Sequence, residues 1–261
     1  MRTQHRRTID RLIPHFQSDP ACLALLVGGS IARGWERDDS DVDILIVVTD
    51  EDYARRLAEN RLHYFTPEFC DYPGGYVDGK YLNRGFLEEV AGHGSEPARA
   101  AFQGVLPAWS RLPDLDDLLA RIPVYPEDRR LERMQAFLAQ VLAMQWYVGE
   151  AEKRGDPYLL AKMSADLVLY GGRLILAYNR ILFPFHKWFL TELRNAPEKP
   201  EGLVELAEEL AARPSKASAD RFTQCLLDFR AWEMPPEGWP ARFMHDTEWT
   251  WRRGWAPIGE C

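Results

Sequence analysis

The feature that most constrains this chain is a glycine-rich segment between two short apolar runs. Residues 23–27 are continuously apolar, and residues 42–48 are apolar apart from one aspartate and rich in β-branched side chains. Such runs are typical of buried strands. Two glycines follow the first run, and the sequence predicts that Ser30 caps the N-terminus of a helix beginning at Ile31. Glycines let the backbone turn sharply, and the free N–H groups at a helix start favour an anion, so we expect a phosphate here.

Two aspartates lie close together at the start of the second predicted strand. Asp41 and Asp43 are two residues apart and follow Ser40, so both carboxylates are expected on one face of the strand. Two ionised carboxylates side by side repel one another unless a cation lies between them, and hard divalent metals prefer oxygen ligands. A phosphate-binding turn beside such a pair predicts phosphoryl or nucleotidyl transfer, with two metal ions stabilising the attacking and leaving oxygens.

The combined pattern is specific. Residues 29–34 have the sequence Gly-Ser-Ile-Ala-Arg-Gly and are followed, after five residues, by Ser40-Asp41-Val42-Asp43. This resembles the signature of the DNA polymerase β-like nucleotidyltransferase superfamily and matches its minimal prokaryotic form residue for residue. The resemblance implies that a nucleoside triphosphate, ATP or another, is the donor. The residues that it assigns to nucleotide binding are Gly28, Gly29, Ser30, Arg33, Ser40 and, in the C-terminal half, Lys162.

The same resemblance implies a metal site built from catalytic carboxylates. Asp41 and Asp43 are expected to hold two magnesium ions, and a third carboxylate on a later strand is expected to complete the site and activate the acceptor hydroxyl. Asp78 fits, because it lies in the alternating segment 76–81, which predicts a strand. Asp71 is the fallback, but its loop is rich in proline and glycine, and we interpret it as a solvated turn residue.

Some of the candidate residues also have a structural interpretation. Arg33 either contacts phosphate or forms a surface ion pair with Asp38 or Asp39. Glu150 and His186 are candidate general bases, although no local motif identifies either of them. For His186 we favour the start of an amphipathic helix.

One face of a predicted C-terminal helix carries Lys162, Asp166, Leu169 and Arg173. This face is either a nucleotide-binding stripe, with Lys162 on the phosphates, or a solvated face with an i,i+4 ion pair. Tyr170 on the same helix could stack on a base, but we interpret it as a core tyrosine. Two adjacent glycines follow it and predict a kink or the close approach of another element.

Hydrophobic periodicity and helix-boundary signals locate the other elements. In the first half, helices are predicted over 3–17, 51–63, 83–92, 96–103 and 115–122, and strands over 23–27, 42–48, 76–81 and 105–109. In the second half, helices are predicted over 128–154, 157–182, 185–195, 200–212 and 218–232, followed by a tail that holds Trp239, Trp249, Trp251 and Trp255.

These elements predict an α+β fold in two domains that meet near Pro123. Residues 1–123 are predicted to form a nucleotidyltransferase catalytic domain with a mixed sheet and flanking helices. Residues 124–261 are predicted to form an all-α helical bundle with an irregular, tryptophan-rich tail. In layout, the helical half resembles the branch of the superfamily that modifies aminoglycoside and lincosamide antibiotics, in which a helical domain closes over the nucleotide.

The overall charge disfavours some classes of partner. The chain has 32 Lys and Arg against 40 Asp and Glu, a formal net charge of −8, and no basic cluster of the kind that long nucleic acids require. We therefore expect a small, cationic acceptor. No apolar run reaches the ~18 residues that span a bilayer, and the four cysteines lack metal-binding spacing, so we expect a cytoplasmic protein with no membrane partner. The aromatic-rich helical half makes a homodimer a further hypothesis.

Three functions are compatible with the motif. The first is transfer of a nucleoside monophosphate, AMP from ATP, to a hydroxyl of a small acceptor such as an aminoglycoside-like compound, with release of pyrophosphate. The second is the same chemistry on a protein acceptor, as in toxin–antitoxin pairs, but the fused helical half argues for a self-contained enzyme. The third is a non-catalytic nucleotide-binding module, which the presence of both Asp41 and Asp43 disfavours.

Overall fold

A computed structural model describes residues 1–252, and the chain divides into two compact units, Met1–Val124 and a second unit that begins at Tyr125. The first unit is a sheet with flanking helices, and the described part of the second contains helices and no strand. The predicted α+β fold is therefore confirmed.

The first unit is built on a five-stranded mixed sheet. Strands β2 and β4 are parallel, whereas β1 pairs antiparallel with β2 and β5, and β3 pairs antiparallel with β4. The strand order across the sheet is β3-β4-β2-β1-β5. The strands are β1 (Cys22–Val27), β2 (Val42–Val48), β3 (His63–Thr66), β4 (Val77–Asn83) and β5 (Leu106–Ser110).

Helices cover both faces of this sheet. They are α1 (Thr3–Gln17), α2 (Gly29–Arg33), α3 (Asp50–Ala58), α4 (Arg84–His93), α5 (Glu96–Ala100) and α6 (Leu115–Arg121). Leu12 of α1 packs in one buried cluster with Ile44 of β2, and Leu87 of α4 packs in the other with Val47 of β2. Side chains alternate across a strand, so Asp43 lies on the face opposite that of Ile44.

Two local predictions in this unit are wrong. The helix predicted over 51–63 ends at Ala58, and the chain forms β3 after Asn60, whose φ of 55° is left-handed and stops the helix. Helix α2 begins at Gly29 with Gly28 as its N-cap, so Ser30 lies inside the helix and is not the predicted cap. A glycine needs no side-chain cap to make the sharp turn between β1 and α2.

The second unit is a helical bundle around one apolar core. Its helices are α7 (Arg130–Arg154), α8 (Pro157–Tyr178), α9 (Phe189–Asn195), α10 (Leu203–Ala212), α11 (Lys216–Phe229), α12 (Trp239–Asp246) and α13 (Glu248–Trp251). The Asp156 side chain accepts a hydrogen bond from the Leu159 amide at 3.0 Å, which confirms the predicted start of α8. Short 3-10 turns precede α7 and α9.

The tryptophan-rich segment is more regular than the sequence predicts. Residues 239–251 form α12 and α13 instead of an irregular tail, and α12 packs on α7. Pro240 lies in the first turn of α12, where its missing N–H costs no hydrogen bond, so this proline begins the helix and does not break it. Trp255, also assigned to the tail, lies outside the described residues.

The glycine pair in α8 allows two other helices to approach closely. A Cβ atom at Gly171 would lie 2.6 Å from Phe222 Cε1 of α11, and one at Gly172 would lie 2.7 Å from Phe189 Cε2 of α9. Both distances are shorter than side-chain atoms tolerate, so the close approach predicted from the sequence is present.

We expect Gly172→Ala to lower the free energy of unfolding, because overpacking costs roughly 1–3 kcal/mol. The gain in helix propensity, about 1 kcal/mol, offsets only part of this cost. The matched control is Gly149→Ala on α7, where the nearest atom to the new Cβ is Lys216 Cδ at an ordinary 3.7 Å. Urea unfolding should shift to lower concentration for Gly172→Ala and to higher concentration for Gly149→Ala. Shifts of the same sign would contradict the packing argument.

Candidate active site

The turn between β1 and α2 is in direct contact with the aspartates of β2. The Gly28 amide donates a hydrogen bond to the Asp43 carbonyl oxygen at 2.9 Å, which ties the turn to the start of β2. Gly29 has a φ of +60°, and a Cβ atom there would lie 2.5 Å from Asp43 Cγ and 2.8 Å from Asp43 Cβ. The Asp43 side chain therefore packs directly on the glycine backbone, and the turn and the carboxylate belong to one site.

The loop between α2 and β2 is held by Ser40 and leads into Asp41, two residues before Asp43. Ser40 is buried, its hydroxyl accepts a hydrogen bond from the Arg37 amide at 2.9 Å, and its carbonyl accepts one from the Tyr72 hydroxyl at 2.8 Å. Burial is the main cause that raises the pKa of Tyr72, which keeps this phenol a hydrogen-bond donor at neutral pH. Ser40 thus fixes the loop that leads into Asp41.

The third predicted carboxylate lies beside the second. β2 and β4 are parallel, and Asp43 is the register partner of Asp78. Neighbouring strands are ~4.8 Å apart, and register partners point to the same face. The structure thus brings Gly29, Asp43 and Asp78 together on one face of the sheet, as the sequence predicts. Nothing here measures their chemical roles, which stay predictions.

A tyrosine not singled out from the sequence connects the three carboxylates. The negative charge of Asp41 and its hydrogen bond with the phenol raise the pKa of Tyr76, and the charges of Asp78 and Asp43 add to the rise. One phenol is therefore within electrostatic reach of all three aspartates. A second side chain that the sequence did not indicate is His63 on β3, whose Nε2 lies 2.7 Å from Asp78 Oδ1.

The donor chemistry of this site fits magnesium, because carboxylate oxygens are the ligands that a hard divalent ion prefers. The side chains are engaged with other partners, however. Asp78 Oδ1 lies 2.7 Å from His63 Nε2, and Asp41 interacts with the Tyr76 phenol. Within residues 1–252, no group of three or more His, Cys, Asp or Glu side chains is arranged to hold a metal ion. Ion binding would therefore use carboxylate oxygens in competition with these partners.

Asp71, the fallback carboxylate, is an exposed loop residue that also forms ion pairs. It forms ion pairs with Arg7 at 2.9 Å and with Arg11 at 3.0 Å, both on α1. Arg11 also donates to the Phe69 carbonyl at 3.1 Å. Asp71 is exposed in its loop, as expected of a solvated residue, and it also neutralises part of the basic outer face of α1.

We expect Asp71→Asn to lower the melting temperature at neutral pH. The hydrogen bond and charge of Arg7, with those of Arg11, hold the pKa of Asp71 below its usual value of 3.8. A lowered pKa in the folded state stabilises the protein above the unfolded-state pKa, and this contribution is lost as the pH falls through the folded-state value. The difference in melting temperature between the variant and the original protein should therefore be full above about pH 5 and shrink below 3.8. A difference that grows on acidification would contradict the ion pair.

Arg33 at the end of α2 is held within the first unit. Its guanidinium donates to the Gln103 side-chain oxygen and lies 4.5 Å from the centroid of the Trp35 ring. Of the two acids considered as surface partners for Arg33, Asp39 pairs with Arg37 at 2.9 Å and Asp38 with Arg2 at 3.3 Å.

The helix face that carries Lys162 contains an ion pair. Lys162 and Asp166 are bonded through their side chains at i,i+4 spacing. Arg173, further along this face, has its guanidinium carbon 4.5 Å from the ring centroids of both Phe137 and Phe183. These contacts support the ion-pair interpretation of the face over that of a nucleotide-binding stripe.

The other candidates of the second unit also have local partners. Tyr170 packs against the helical core, as expected for a core tyrosine. Glu150 pairs with Lys153 at 2.7 Å. His186 lies in a 3-10 turn, with its ring centroid 4.6 Å from that of Phe185. No described contact singles out Glu150 or His186 as a general base.

Comparison with protein families assigns the first unit. Residues 9–89 match the family model described as "Nucleotidyltransferase domain". This chain contains a nucleotidyltransferase domain. The matched span includes Gly29, Asp43 and Asp78, and this match supports a transferase enzyme that acts in nucleotidyl transfer.

Other comparisons are less informative. A solved nucleotidyltransferase-like protein from Exiguobacterium sibiricum is similar over 97% of this chain and 81% of its own, with 13% sequence identity and a TM-score of 0.48. A search of curated proteins gave no match. Among the described residues, none of the helices is both long and apolar enough to cross a membrane.

Proposed function

We propose that the nucleotidyltransferase domain transfers a nucleoside monophosphate, AMP from ATP, to a hydroxyl of a small-molecule acceptor, and that the reaction depends on magnesium and releases pyrophosphate. The observation that carries this proposal is the contact of Asp43 with Gly29 on one side and its register pairing with Asp78 on the other. A phosphate-binding turn and two carboxylates then meet at one point of the sheet.

In this proposal each part of the site has its own role. The backbone N–H groups of the turn at Gly28–Ser30 bind the triphosphate, because free amides favour an anion. Asp41, Asp43 and Asp78 hold magnesium. Magnesium, when bound, neutralises phosphate charge and stabilises the departing oxygen. Lys162 is not included among the nucleotide ligands, since its ammonium group already has the Asp166 carboxylate as a partner.

The proposed transfer step is a displacement at phosphorus. The acceptor hydroxyl oxygen forms a bond to the α-phosphorus, the bond from that phosphorus to the bridging oxygen breaks, and pyrophosphate leaves with the electron pair. Asp78, next to Asp43 in the register, is positioned to accept the hydroxyl proton. In this proposal Asp43 acts on the side of the nucleotide donor, and Asp78 acts on the side of the acceptor.

The acceptor is proposed to be a small, amine-bearing polyol of the aminoglycoside type. The acidic net charge favours a cationic molecule over an anionic one. The relation to the antibiotic-modifying branch remains part of this proposal.

The test uses the purified full chain with labelled ATP and magnesium, in the presence of aminoglycosides or of a cell lysate. Label on an added small molecule, with an equal amount of pyrophosphate, is the expected result. Label on a protein band would instead show that the acceptor is a protein. Thermal shift supplies a second readout, since a ligand that binds only the folded state raises the melting temperature. Absence of both pyrophosphate and a magnesium–ATP shift would contradict the proposal.

A further inference from the structure

Two aromatic side chains are exposed next to the carboxylates. Phe65 on β3 is 58% exposed and Tyr76, just before β4, is 36% exposed. Their ring centroids are 5.4 Å apart, with an angle of 37° between the ring planes. Isolated exposed apolar residues need no explanation, but two rings in contact at the edge of a catalytic site form a small surface, the Phe65–Tyr76 surface.

This surface lies on the same sheet face as the carboxylates. Phe65 is the register partner of Asp78 across the β3–β4 pair, and Asp78 is the partner of Asp43 across the β4–β2 pair. Register partners share a face. The order across the sheet is therefore phosphate-binding turn after β1, Asp43 on β2, Asp78 on β4 and Phe65 on β3.

That order determines which substrate meets the aromatic rings. The donor phosphates occupy the turn beside β1 in the proposed function, so the position beyond Asp78, away from that turn, is left for the acceptor. Phe65 stands at this position, on the edge strand of the sheet.

The electrostatic potential around the rings determines which class of ligand this surface prefers. The faces of aromatic rings carry negative electrostatic potential and attract cations. The charges of Asp41, Asp78 and Asp43 all reach the Tyr76 phenol, but a bound magnesium ion would offset them, so the preference for a cation rests on the ring faces themselves. Lys80, on the same face two residues beyond Asp78, marks the far limit of the acidic area. His63, whose Nε2 lies 2.7 Å from Asp78 Oδ1, stands between Phe65 and this limit, so the ring faces are the part of the surface left for a cationic group.

We propose that Phe65 and Tyr76 form an acceptor subsite that binds an ammonium group over their rings and so presents a neighbouring hydroxyl to Asp78. The inference rests on the proposed function for the direction of transfer. It adds the residues that select the acceptor, which neither the motif nor the domain family assigns.

The kinetic test is Phe65→Ala with kanamycin A as acceptor. A cation–π contact at an exposed site corresponds to a change of about 2- to 5-fold, so we expect the KM for kanamycin A to rise by that factor. The KM for ATP and kcat should change less than about twofold. Phe65→Tyr, which keeps the ring, should restore the KM. The matched control is Leu57→Ala on α3, which removes another exposed apolar side chain, 53% exposed. Tyr53 of the same helix packs against the buried cluster that contains Leu12 of α1, on the other face of the sheet.

A binding measurement separates failure of this inference from failure of the proposed function. Isothermal titration without nucleotide compares kanamycin A with its per-N-acetylated form, which keeps the rings and the hydroxyls but loses the ammonium charges. The expected result is tighter binding of the charged form, with the difference reduced by Phe65→Ala and unchanged by Leu57→Ala.

Equal binding of the two forms, or a KM that Phe65→Ala leaves unchanged, would overturn the subsite while leaving nucleotidyl transfer intact. Phe65-dependent binding of the charged form without any pyrophosphate release would instead retain the subsite and overturn the proposed function. Thermal melting of each variant checks that the exposed substitutions leave the fold unchanged.

Discussion

Asp43→Asn should reduce the rate of pyrophosphate release by on the order of 10³-fold, the loss typical of removing one group that stabilises transition-state charge. The substitution keeps the shape of the side chain and removes its charge. Because Asp43 packs on Gly29 and neighbours Asp78, the lost charge lies between the donor and acceptor sides of the site.

The same substitution should leave stability unchanged or slightly increased. Three carboxylates within reach of one phenol repel one another in the absence of a cation, and removing one charge relieves that repulsion. Activity and melting temperature are therefore expected to move in different directions. The control is Asp117→Asn on α6, an exposed carboxylate remote in sequence from the motif. A loss below about tenfold for Asp43→Asn would exclude a central role for this carboxylate.

Gly29→Ala should abolish most activity and also destabilise the fold. The residue has a φ of +60°, where an alanine costs roughly 1–2 kcal/mol. In addition, its Cβ would overlap the Asp43 carboxyl group, which must then be displaced from the turn. We expect a loss of at least about 10²-fold in pyrophosphate release, because a misplaced catalytic group costs that much.

Gly34→Ala is the matched control for the backbone contribution. Gly34 also has a positive φ, 69°, but no heavy atom lies within 4 Å of the Cβ position. Its substitution should cost only the roughly 1–2 kcal/mol of backbone strain and retain most activity. Urea unfolding and a pyrophosphate assay on both variants separate strain from overlap with Asp43. Equal losses of activity in the two variants would show that the contact with Asp43 has no special importance.

The sequence predicts the donor side of the site better than the acceptor side. The strands on either side of the motif have a strong apolar signal, and the spacing of Asp41 and Asp43 depends only on the geometry of one strand. Asp78 was also predicted, because its segment alternates. Its position beside Asp43, by contrast, depends on the parallel pairing of β2 and β4, which is a long-range property.

The acceptor-side residues had no comparable signal. His63 and Phe65 lie on a four-residue edge strand with one side exposed; His63 was predicted as the end of a helix, and Phe65 was assigned to no element. So short a strand offers too few residues for a period to be recognised. The segment around Trp239 was predicted as irregular because it contains prolines. Proline ends helices but also occupies their first turn, where Pro240 lies in α12. Ser30 was assigned as a cap from residue type alone, although Gly28 already provided the turn.

The parallel pairing of β2 and β4 has a consequence for how such enzymes diversify. Parallel neighbours cannot be joined by a hairpin, so a long crossover must connect them, and residues 49–76 make this connection. Phe65 and Tyr76 both lie on it, whereas Gly29, Asp41 and Asp43 lie on the compact segment before it. Lengthening a surface connection is cheap, about 0.6 kcal/mol for each doubling. Insertions in this crossover could therefore exchange one acceptor for another while the nucleotide-handling half of the enzyme stays constant.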